Sequence, residues 1–445
     1  MSTAGSDIAG PNVDRRKPDY LLLGATIALL VLGTLMVYSA SFVVAHNEFS
    51  DDAYFLTRQL IWVGIGSLAL VFGMSLDYHR WRSVSVVVML VCICLLIAVL
   101  VPGIGARSYG ASRWLRVGSF LQVQPSELAK IAIVLYLSDW LARRGSLVGH
   151  FRRGLLPFAI IVALVASLVV VQPDLGTTSI IIGAAACVFF VAGANLLHVG
   201  LMLGGGVGAG LLALSKLSGY RQDRIAAFLD PWSDIQGSGW HTAQGLIALG
   251  SGGPLGRGLG ESFQKFYWVP NAHTDAIFAI IGEELGFIGS LGLLALFGLL
   301  AWRGFLIAFR APDSFGRLYA TGLTCMLVLQ AIVNIAVVTN SVPYTGITLP
   351  LVSFGGSSTV ISLLAVGLLL SISRYKSLES AEDDTAEQPA PLGPPPAPSP
   401  RRATGHARPF APRLPSSTAI RRPRLSVQVF PVRTRATARR RKVYG

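Results

Sequence analysis

Ten long apolar segments, separated by shorter polar stretches, occupy most of this chain. Apolar runs of about 20 residues have the length that an α-helix needs to cross the hydrocarbon core of a bilayer. An even number of crossings places both chain ends on the same side of the membrane. The pattern therefore predicts an all-α, polytopic integral membrane protein with about ten transmembrane helices. The segments span approximately residues 20–43, 60–76, 83–101, 127–141, 155–171, 177–193, 199–214, 275–309, 318–338 and 351–372.

Composition supports the membrane assignment. Hydrophobic residues make up 52% of the chain and charged residues only 13%. The mean hydropathy is +0.58, which excludes an ordinary soluble domain. The 4 cysteines all fall inside apolar runs, which indicates small core residues rather than a disulfide framework or a metal site. The first apolar segment is long enough to span and lacks a small-residue cleavage site, so we expect no cleavable signal.

Three regions differ in character along the chain. Residues 1–19 form a cytoplasmic N-terminal segment, residues 20–375 the membrane domain, and residues 376–445 a polar tail. The tail is first acidic and Pro-rich, and its residues 401–442 then hold 13 Lys and Arg and no acid. Such compositions cannot bury a core, so we expect a disordered cytoplasmic tail that contacts anionic membrane lipids or an acidic partner. No nucleic-acid-binding module accompanies the charge, so nucleic acid is not an expected partner.

Basic residues between the apolar segments predict the orientation. Pairs of arginine such as Arg143 and Arg144 flank the ends that would be cytoplasmic, as the positive-inside rule requires, so both termini are predicted to be cytoplasmic. The opposite, outer loops also carry basic residues, which suggests an anionic ligand on that face. The alternative is that these charges pair with acidic neighbours. They include Arg113, Arg221, Arg224 and Lys265.

The longest outer loop, residues 215–274, combines aromatic residues with Gly-rich turns. Long loops of this kind are usually functional, and the apolar residues 247–249 predict an amphipathic or re-entrant piece at the membrane interface. Directly after the loop, Asp275 places a carboxylate at the water–lipid boundary. Its desolvation is unfavourable there, which indicates a functional role. The alternative is that Asp275 is a helix N-cap.

Three further polar patches lie at predicted outer ends of helices. In the first, Glu127 and Lys130 are three residues apart and share a helix face just inside the membrane. The second carries Asp174 directly after a proline. The third opens a helix with Ser357 and Ser358 after two glycines, and its free N–H groups and hydroxyls suit an anion. The alternative for all three is close helix packing through small residues.

Several short sequence blocks together carry a family resemblance. They are Arg113-Trp114, Gln124-Pro125-Ser126-Glu127, Gln172-Pro173-Asp174-Leu175-Gly176-Thr177, Arg224-Ile225, Phe228-Leu229-Asp230-Pro231, Gly250-Ser251-Gly252-Gly253, His273-Thr274-Asp275, Glu283-Glu284-Leu285-Gly286, Asn334 and the stretch 345–358. In this order they resemble the SEDS family (shape, elongation, division and sporulation) of FtsW/RodA-type peptidoglycan glycosyltransferases. The resemblance covers about residues 20–375, and the extended tail favours the FtsW type. Asn271 and His241 depart from the family pattern, which often has Glu and Gln there.

The resemblance implies an enzyme of the bacterial cytoplasmic membrane that polymerises lipid II on the outer face, with undecaprenyl pyrophosphate as leaving group. The family's essential aspartate falls on Asp275, the expected general base, and Lys130 is expected to position or tune it. His273 is interpreted as a structural, hydrogen-bonding histidine rather than a second base. A class B penicillin-binding protein, which is a transpeptidase, is the implied partner, and the basic tail is expected to contact cytoplasmic division proteins. A divalent cation remains possible, but no ligand cluster identifies one. The expected substrate-binding residues are Arg113, Glu127, Asp174, Arg221, Arg224, Lys265, Ser357 and Ser358.

Two functions from other classes stay open on the sequence alone. One is a transporter that flips lipid II across the membrane. Charges at the midplane and broken helices would favour it, whereas the polar residues here gather at one face. The other is a non-enzymatic division scaffold that recruits its partners through the tail.

Overall fold

The computed structural model describes residues 17–103, 105–108, 111–117, 121–215 and 220–375, and these residues form a helical bundle. The predicted tail, 376–445, lies outside the described residues. Short 3-10 and π turns cover Gly145–Gly149 and Phe151–Leu155. The α-helices are α1 (Tyr20–Phe49), α2 (Tyr54–Ser75), α3 (Tyr78–Ala98), α4 (Pro125–Ala142), α5 (Leu156–Val171), α6 (Leu175–Val191), α7 (Leu196–Ser215), α8 (Tyr220–Leu229), α9 (Trp240–Ser251), α10 (Ile277–Arg310), α11 (Ser314–Val338) and α12 (Gly356–Ser373).

Seven helices in the described part of the chain are long and apolar enough to cross a membrane. They are α1, α2, α3, α5 with its preceding turn, α10, α11 and α12. The other three predicted spans are also helices. Of these, α4 carries Glu127, Lys130 and Asp139, and α6 has only 17 residues. The prediction of a polytopic helical membrane protein is confirmed, and each predicted segment bound lies within six residues of a helix bound.

The large loop between α7 and α10 contains the two short helices α8 and α9. The apolar residues 247–249 lie on α9, as the sequence predicted. Ala243 and Ala248 of this helix are fully buried, whereas Ile247 is exposed. At the start of α9, Trp240 stacks on Trp268 with ring centroids 5.7 Å apart. Two parts of the loop that lie 28 residues apart in the sequence therefore pack on each other.

A small antiparallel sheet lies between α3 and α4, where the sequence predicted only loop. Its strands are β1 (Gly105–Ser108), β2 (Ala111–Val117) and β3 (Leu121–Val123), paired in the order β1-β2-β3. Leu115 of β2 lies opposite Gly105 on one side and Val123 on the other. Strands of three to seven residues carry too few alternating positions to be distinguished from loop by periodicity. The all-α prediction is thus incomplete at this one place.

Helices α11 and α12 form the centre of the bundle. In their most apolar windows 67% and 78% of the residues are buried, against 17% for α2. Small residues bring α12 close to α2, since a Cβ on Gly367 would lie 2.3 Å from the Leu70 carbonyl oxygen. Lipid chains are as apolar as the helix surfaces, so such close van der Waals contact contributes strongly to helix association in membranes.

Helix α10 is broken near its N-terminal end. Gly286 has φ 67° and ψ −165°, a conformation that only glycine adopts readily. The loop before it fills the break, because the backbone N–H of Gly258 donates to the Glu284 carbonyl at 3.0 Å and that of Phe287 donates to the Gly253 carbonyl at 2.9 Å. A Cβ on Gly286 would lie 2.2 Å from the Gly256 nitrogen. The loop backbone therefore packs directly against α10 at this break.

Both ends of the described chain lie at the same end of the bundle. The backbone N–H of Asp19 donates to Ser373 Oγ at 3.2 Å, and the Asp19 carboxylate pairs with Arg303 near the end of α10. Asp275 precedes the first residue of α10, Ile277. A helix of 34 residues rises about 50 Å at 1.5 Å per residue. Asp275 therefore lies at the opposite end of the bundle from the termini.

Candidate active site

Asp275 lies in the turn that leads into α10 and is buried, with 7% exposure. The N-cap of α10 is Ala276, and no side chain caps this helix. The alternative interpretation of Asp275 as a helix N-cap is therefore wrong. A buried carboxylate that is not used by its own helix has capacity for another function.

Three residues hold this carboxylate and its backbone. Thr274 Oγ1 donates to Asp275 Oδ1 at 3.1 Å, and the Tyr344 hydroxyl donates to Oδ2. Asn334 of α11 donates to the backbone carbonyls of Asp275 and Ile347, at 2.8 and 2.6 Å. One amide thus ties the turn before α10 to the stretch between α11 and α12. This stretch supplies Tyr344, so the same amide also helps to position the hydroxyl.

The surroundings of Asp275 favour a carboxylate that titrates near neutral pH. Burial raises the pKa of Asp275 to about 6, while the hydroxyl of Thr274 and the charge of Arg224 oppose the rise. Arg224 donates from Nη1 to the Tyr344 carbonyl at 3.0 Å, and its guanidinium carbon lies 5.0 Å from the Tyr344 ring centroid. A base with such a pKa is largely ionised at pH 7 and still accepts a proton efficiently.

Two histidines near Asp275 are expected to be neutral. The ring of His241 lies 4.2 Å from the ring of Tyr344, and burial, followed by the charge of Arg224, lowers the pKa of His241 to about 4. Burial also lowers the pKa of His273 to about 4. The His273 ring packs against Phe55 at 4.4 Å, but its buried Nδ1 has no hydrogen-bond partner among the described residues, so its structural hydrogen-bonding role stays a prediction. Asp275 is therefore the group here that carries a negative charge at neutral pH and can lose it by accepting a proton.

A small cavity lies beside the carboxylate, between α9, α11 and the stretch that carries Tyr344. Ala276, the residue after Asp275, lines this cavity together with the rings of His241 and Tyr344. Its lining residues are His241, Thr242, Gly245, Ala276, Val337, Val338 and Tyr344.

Lys130 and Glu127 form a second buried polar group, on α4. Lys130 Nζ lies 2.8 Å from Glu127 Oε2 and donates to Gln330 Oε1 at 2.6 Å. Gln330 in turn donates to Ser358 Oγ at 3.1 Å. Among the described residues no hydrogen bond or ion pair joins Lys130 to Asp275. The connection runs through α11, on which Gln330 lies about one turn from Asn334, so the predicted tuning of Asp275 by Lys130 stays a prediction.

Arg113 and Asp174 connect the sheet, α4 and α6. Arg113 Nε donates to the Gln172 carbonyl at 3.0 Å, and its Nη2 donates to the Pro173 carbonyl. Asp174 Oδ1 accepts the Thr177 N–H at 3.0 Å and so caps α6. Its Oδ2 accepts from Gln124 Nε2 at 3.0 Å. These contacts favour structural roles for both side chains, and their predicted contacts with substrate stay predictions.

Lys265 and Glu284 form an ion pair that is sealed from solvent. Nζ lies 3.1 Å from Oε1, and both side chains have 0% exposure. Ser39 of α1 donates to the Glu284 carboxylate at 2.7 Å, and Lys265 also donates to the Gly260 carbonyl. The geometry therefore assigns this ammonium to Glu284, and the predicted phosphate contact of Lys265 has no support from it. The adjacent Glu283 accepts from Ser262 Oγ at 2.5 Å, which anchors the same loop.

The remaining predicted site residues are Ser357, Ser358 and Arg221. Ser358 Oγ accepts hydrogen bonds from Gln330 and Thr348, whereas Ser357 Oγ is buried and has no hydrogen-bond partner within the described residues. Arg221 lies on α8, but its side chain is outside the described part of the chain.

No group of three or more His, Cys, Asp and Glu that could hold a metal ion occurs among the described residues. A divalent cation therefore stays an untested possibility without an identified site.

The structure adds two residues to the site that the sequence did not assign a role. Tyr344 and Asn334 reach Asp275 from positions 69 and 59 residues away. Asn334 is one of the positions that carry the family resemblance, and Tyr344 directly precedes the stretch 345–358 of that resemblance. Their place in the sequence marks both as of interest but does not predict that they contact Asp275. A polar residue on an otherwise apolar helix, as Asn334 is on α11, is the feature that could have identified it, since such residues in membrane segments are usually bonded.

Comparison with known proteins identifies relatives of this chain. The sequence profile of the FtsW/RodA/SpoVE cell cycle protein family matches residues 20–378. Stage V sporulation protein E of Bacillus subtilis is 44% identical over 367 residues, which cover 81% of this chain and 98% of that protein. The probable peptidoglycan glycosyltransferase FtsW of Trichlorobacter lovleyi is 41% identical over 361 residues, covering 80% of this chain and 93% of that protein.

Solved structures show the same fold. A chain in a structure described as "Structural coordination of polymerization and crosslinking by a peptidoglycan synthase complex" superposes with a TM-score of 0.66 at 31% identity, covering 80% of this chain and 98% of that one. The rod shape determining protein RodA of Thermus thermophilus superposes with a TM-score of 0.61 at 30% identity, covering 80% and 97%. Both likenesses extend over the membrane bundle.

Proposed function

This chain belongs to the FtsW/RodA/SpoVE (SEDS) family, and we propose that it is a peptidoglycan glycosyltransferase in which Asp275 is the general base. The substrates are two polyprenyl-pyrophosphate-linked disaccharides of the lipid II type, or one of these and a growing glycan strand. The glycosyltransferase activity is supported by relatives named for it. The role of Asp275 is supported by its place in the bundle and its surroundings.

The proposed step is a single displacement. The 4-hydroxyl oxygen of the acceptor sugar attacks the anomeric carbon of the donor, its proton passes to the Asp275 carboxylate, and the bond from the anomeric carbon to the pyrophosphate oxygen breaks. Undecaprenyl pyrophosphate leaves with the bonding electron pair, and Asp275 later returns its proton to water. Because pyrophosphate is a good leaving group, one carboxylate suffices, unlike the pair that glycosidases use.

The observation that carries this proposal is the state of Asp275. Its carboxylate is buried, is not used as a helix cap, and has a pKa raised to about 6. It accepts hydrogen bonds from neutral hydroxyls, which orient it without neutralising it. Arg224 lies near enough to influence its pKa, and this guanidinium is the proposed contact for the departing pyrophosphate.

The test is polymerisation of lipid II by the purified full chain, read out as glycan strands on a gel. Asp275→Asn keeps the side-chain shape and its capacity to accept from Thr274, and we expect it to reduce the rate by at least a thousandfold. Glu261→Gln is the matched control, because Glu261 is an exposed carboxylate of the same loop. Polymerisation by folded Asp275→Asn at more than a tenth of the normal rate would refute the proposed base.

The transporter alternative has one feature in its favour, the broken helix α10. Transporters use such breaks to bind substrate at the membrane midplane. Here the break at Gly286 follows nine residues into a helix of 34 and is filled by the backbone of the preceding loop, so it offers no open ligand site. A reconstituted vesicle assay separates the two functions: strands should form when lipid II is supplied only on the Asp275 side, with no movement of lipid II between leaflets.

The same family assignment supports three finer proposals. Both termini face the cytoplasm of a bacterial cell, and Asp275 faces outward, because the inner loops carry the arginine clusters.

The partner is a class B penicillin-binding protein, in line with a related chain found in a complex that couples polymerisation and crosslinking. The role is in division or elongation; of the relatives compared above, one is named for sporulation and one for rod shape. Co-purification with a candidate transpeptidase, and labelling of an introduced cysteine in the outer loop of intact cells, test the partner and the orientation.

The scaffold alternative places the function in the tail. Deletion of residues 376–445 should leave polymerisation by the membrane domain intact, because every element of the candidate site lies before Tyr375. Loss of polymerisation in a folded, tail-less chain would favour the scaffold.

A further inference from the structure

A cavity of about 390 Å³ opens at the end of the bundle opposite Asp275. It lies between the residues that precede α1, the last turns of α10 and the end of α12. Its volume is within the range of about 300–1,000 Å³ that small-molecule sites occupy. The active site described above has no part in it. The residues that matter for its chemistry are Lys17, Asp19, Arg303, Leu306, Arg310 and Tyr375.

The charges around this cavity are unbalanced. Three cationic side chains line it, and of the described lining residues only Asp19 is acidic. Asp19 is already engaged, since its Oδ2 accepts from Arg303 Nε at 3.0 Å and its Oδ1 caps α1 through the Leu22 N–H at 3.0 Å. Lys17 and Arg310 make no ion pair or hydrogen bond with any described residue. Two positive charges therefore remain for a ligand.

The cavity is lined by apolar as well as charged side chains. Leu306 and Ile307 form part of its lining, and Leu21, which also lines it, is 54% exposed. Just beside it on α10, Trp302 is 58% and Phe309 80% exposed. Aromatic residues at this position are typical of the membrane–water interface. A ligand that fills this site has an anionic group beside Lys17 and Arg310 and hydrocarbon beside Leu21 and Leu306, which lies about one helical turn before Arg310.

We propose that this cavity binds the phosphate headgroup of an anionic phospholipid of the adjacent leaflet. Lys17 and Arg310 contact the phosphate, whereas Arg303 is paired with Asp19 and adds no net charge. The acyl chains lie against the exposed apolar residues of α1 and α10. Basic pockets between helices on the cytoplasmic side are suited to such headgroups, because each nearby Lys or Arg adds about 1 kcal/mol of attraction. A soluble phosphate compound would use the same cations but not the apolar wall.

The first experiment is native mass spectrometry of the purified full chain, titrated with phosphatidylglycerol or with phosphatidylcholine of the same acyl chains. The cavity variant is Lys17→Gln/Arg310→Gln, and the matched control is Arg152→Gln/Arg153→Gln. The control removes two exposed arginines from a different loop of the predicted same side, so both variants carry the same net charge and the same basic tail. We expect phosphatidylglycerol to bind about thirtyfold more weakly to the cavity variant and less than threefold more weakly to the control.

Several outcomes would overturn the proposal. Equal weakening in both double variants would mean that the charge of the whole protein, not the cavity, recruits the lipid. Equal binding of phosphatidylcholine would exclude recognition of an anion. Displacement of the lipid by glycerol 3-phosphate at comparable concentration would identify a site for free phosphate compounds. The conservative variant Lys17→Arg/Arg310→Lys should restore binding, and its failure to do so in monodisperse protein would also count against the site.

A second readout locates the acyl chains directly. A phosphatidylglycerol with a photoreactive group in its acyl chain should label peptides that contain Leu21 or Phe309, and the cavity variant should lose this labelling. Labelling confined to peptides of the tail, or unchanged in the cavity variant, would contradict the assignment.

Discussion

Two lysine–glutamate pairs are buried in the described part of this chain, and they differ in how completely their charges are satisfied. Lys265 and Glu284 come from the large loop and from α10, and Ser39 of a third element donates to the carboxylate. Lys130 and Glu127 are three residues apart on α4. Glu127 Oε2 lies 2.8 Å from the ammonium, but no described group makes a well-aligned hydrogen bond to it.

This difference separates a charge pair that holds the fold from one that retains capacity for a ligand. A buried pair is stable only when further hydrogen bonds satisfy its remaining atoms, and the loop pair meets this condition. The α4 pair meets it only in part, and it is linked through Gln330 to the helix that carries Asn334. Buried charge alone is thus a weak sign of function, and incomplete satisfaction of that charge is a better one.

The largest expected effect is on the stability of the loop pair. Lys265→Met leaves Glu284 buried without its counter-ion, which should lower the free energy of unfolding by about 3–5 kcal/mol. The double variant Lys265→Met/Glu284→Gln removes both charges and should recover most of this loss together with polymerisation. Thermal unfolding in detergent measures the first and a lipid II assay the second. A single variant as stable as the parent would show that the pair contributes little.

The α4 pair should behave differently in the same design. Lys130→Met/Glu127→Gln should also unfold near the normal temperature, but its polymerisation rate should remain about a hundredfold low because a charged group near the site is missing. The two double variants are controls for each other. Normal polymerisation by the α4 double variant would remove the distinction drawn between the pairs and the predicted role of Lys130.

The Tyr344 hydroxyl, which donates to the Asp275 carboxylate, should influence how the polymerisation rate depends on pH. Asp275 acts as a base only when ionised, so the rate should fall tenfold per pH unit below about 6. Tyr344→Phe removes a donor that favours the ionised form, so the acidic limb should move to higher pH by about one unit, or 1.4 kcal/mol. An unchanged or lower midpoint in the Phe variant would show that another group titrates in this limb.

The smallest expected effect comes from Arg113, whose guanidinium is engaged by backbone carbonyls. Arg113→Gln should lower the free energy of unfolding by about 1–2 kcal/mol and leave KM for lipid II unchanged. If KM instead rose tenfold with stability retained, the substrate contact predicted from the sequence would be supported over the structural role favoured here.

The helices were predictable because their signal is local. Hydropathy and length mark a span within about 20 consecutive residues, and all ten segments are helices in the structure. The three-stranded sheet and the break at Gly286 were not predicted, because short strands lack a clear period and the break depends on a loop that arrives from about 30 residues earlier.

The sequence by itself determined the class of the protein, the ten segments that fold as helices, the family and the position of Asp275 next to one of these helices. Each of these is encoded in neighbouring residues or in the order of short blocks. Only the tertiary structure decided which charges are engaged. Lys130 meets Gln330, 200 residues away, and Asp275 meets Tyr344, 69 residues away. A side chain's charge is visible in the sequence, but its partner and its burial are set by helix packing over distances that no local pattern records.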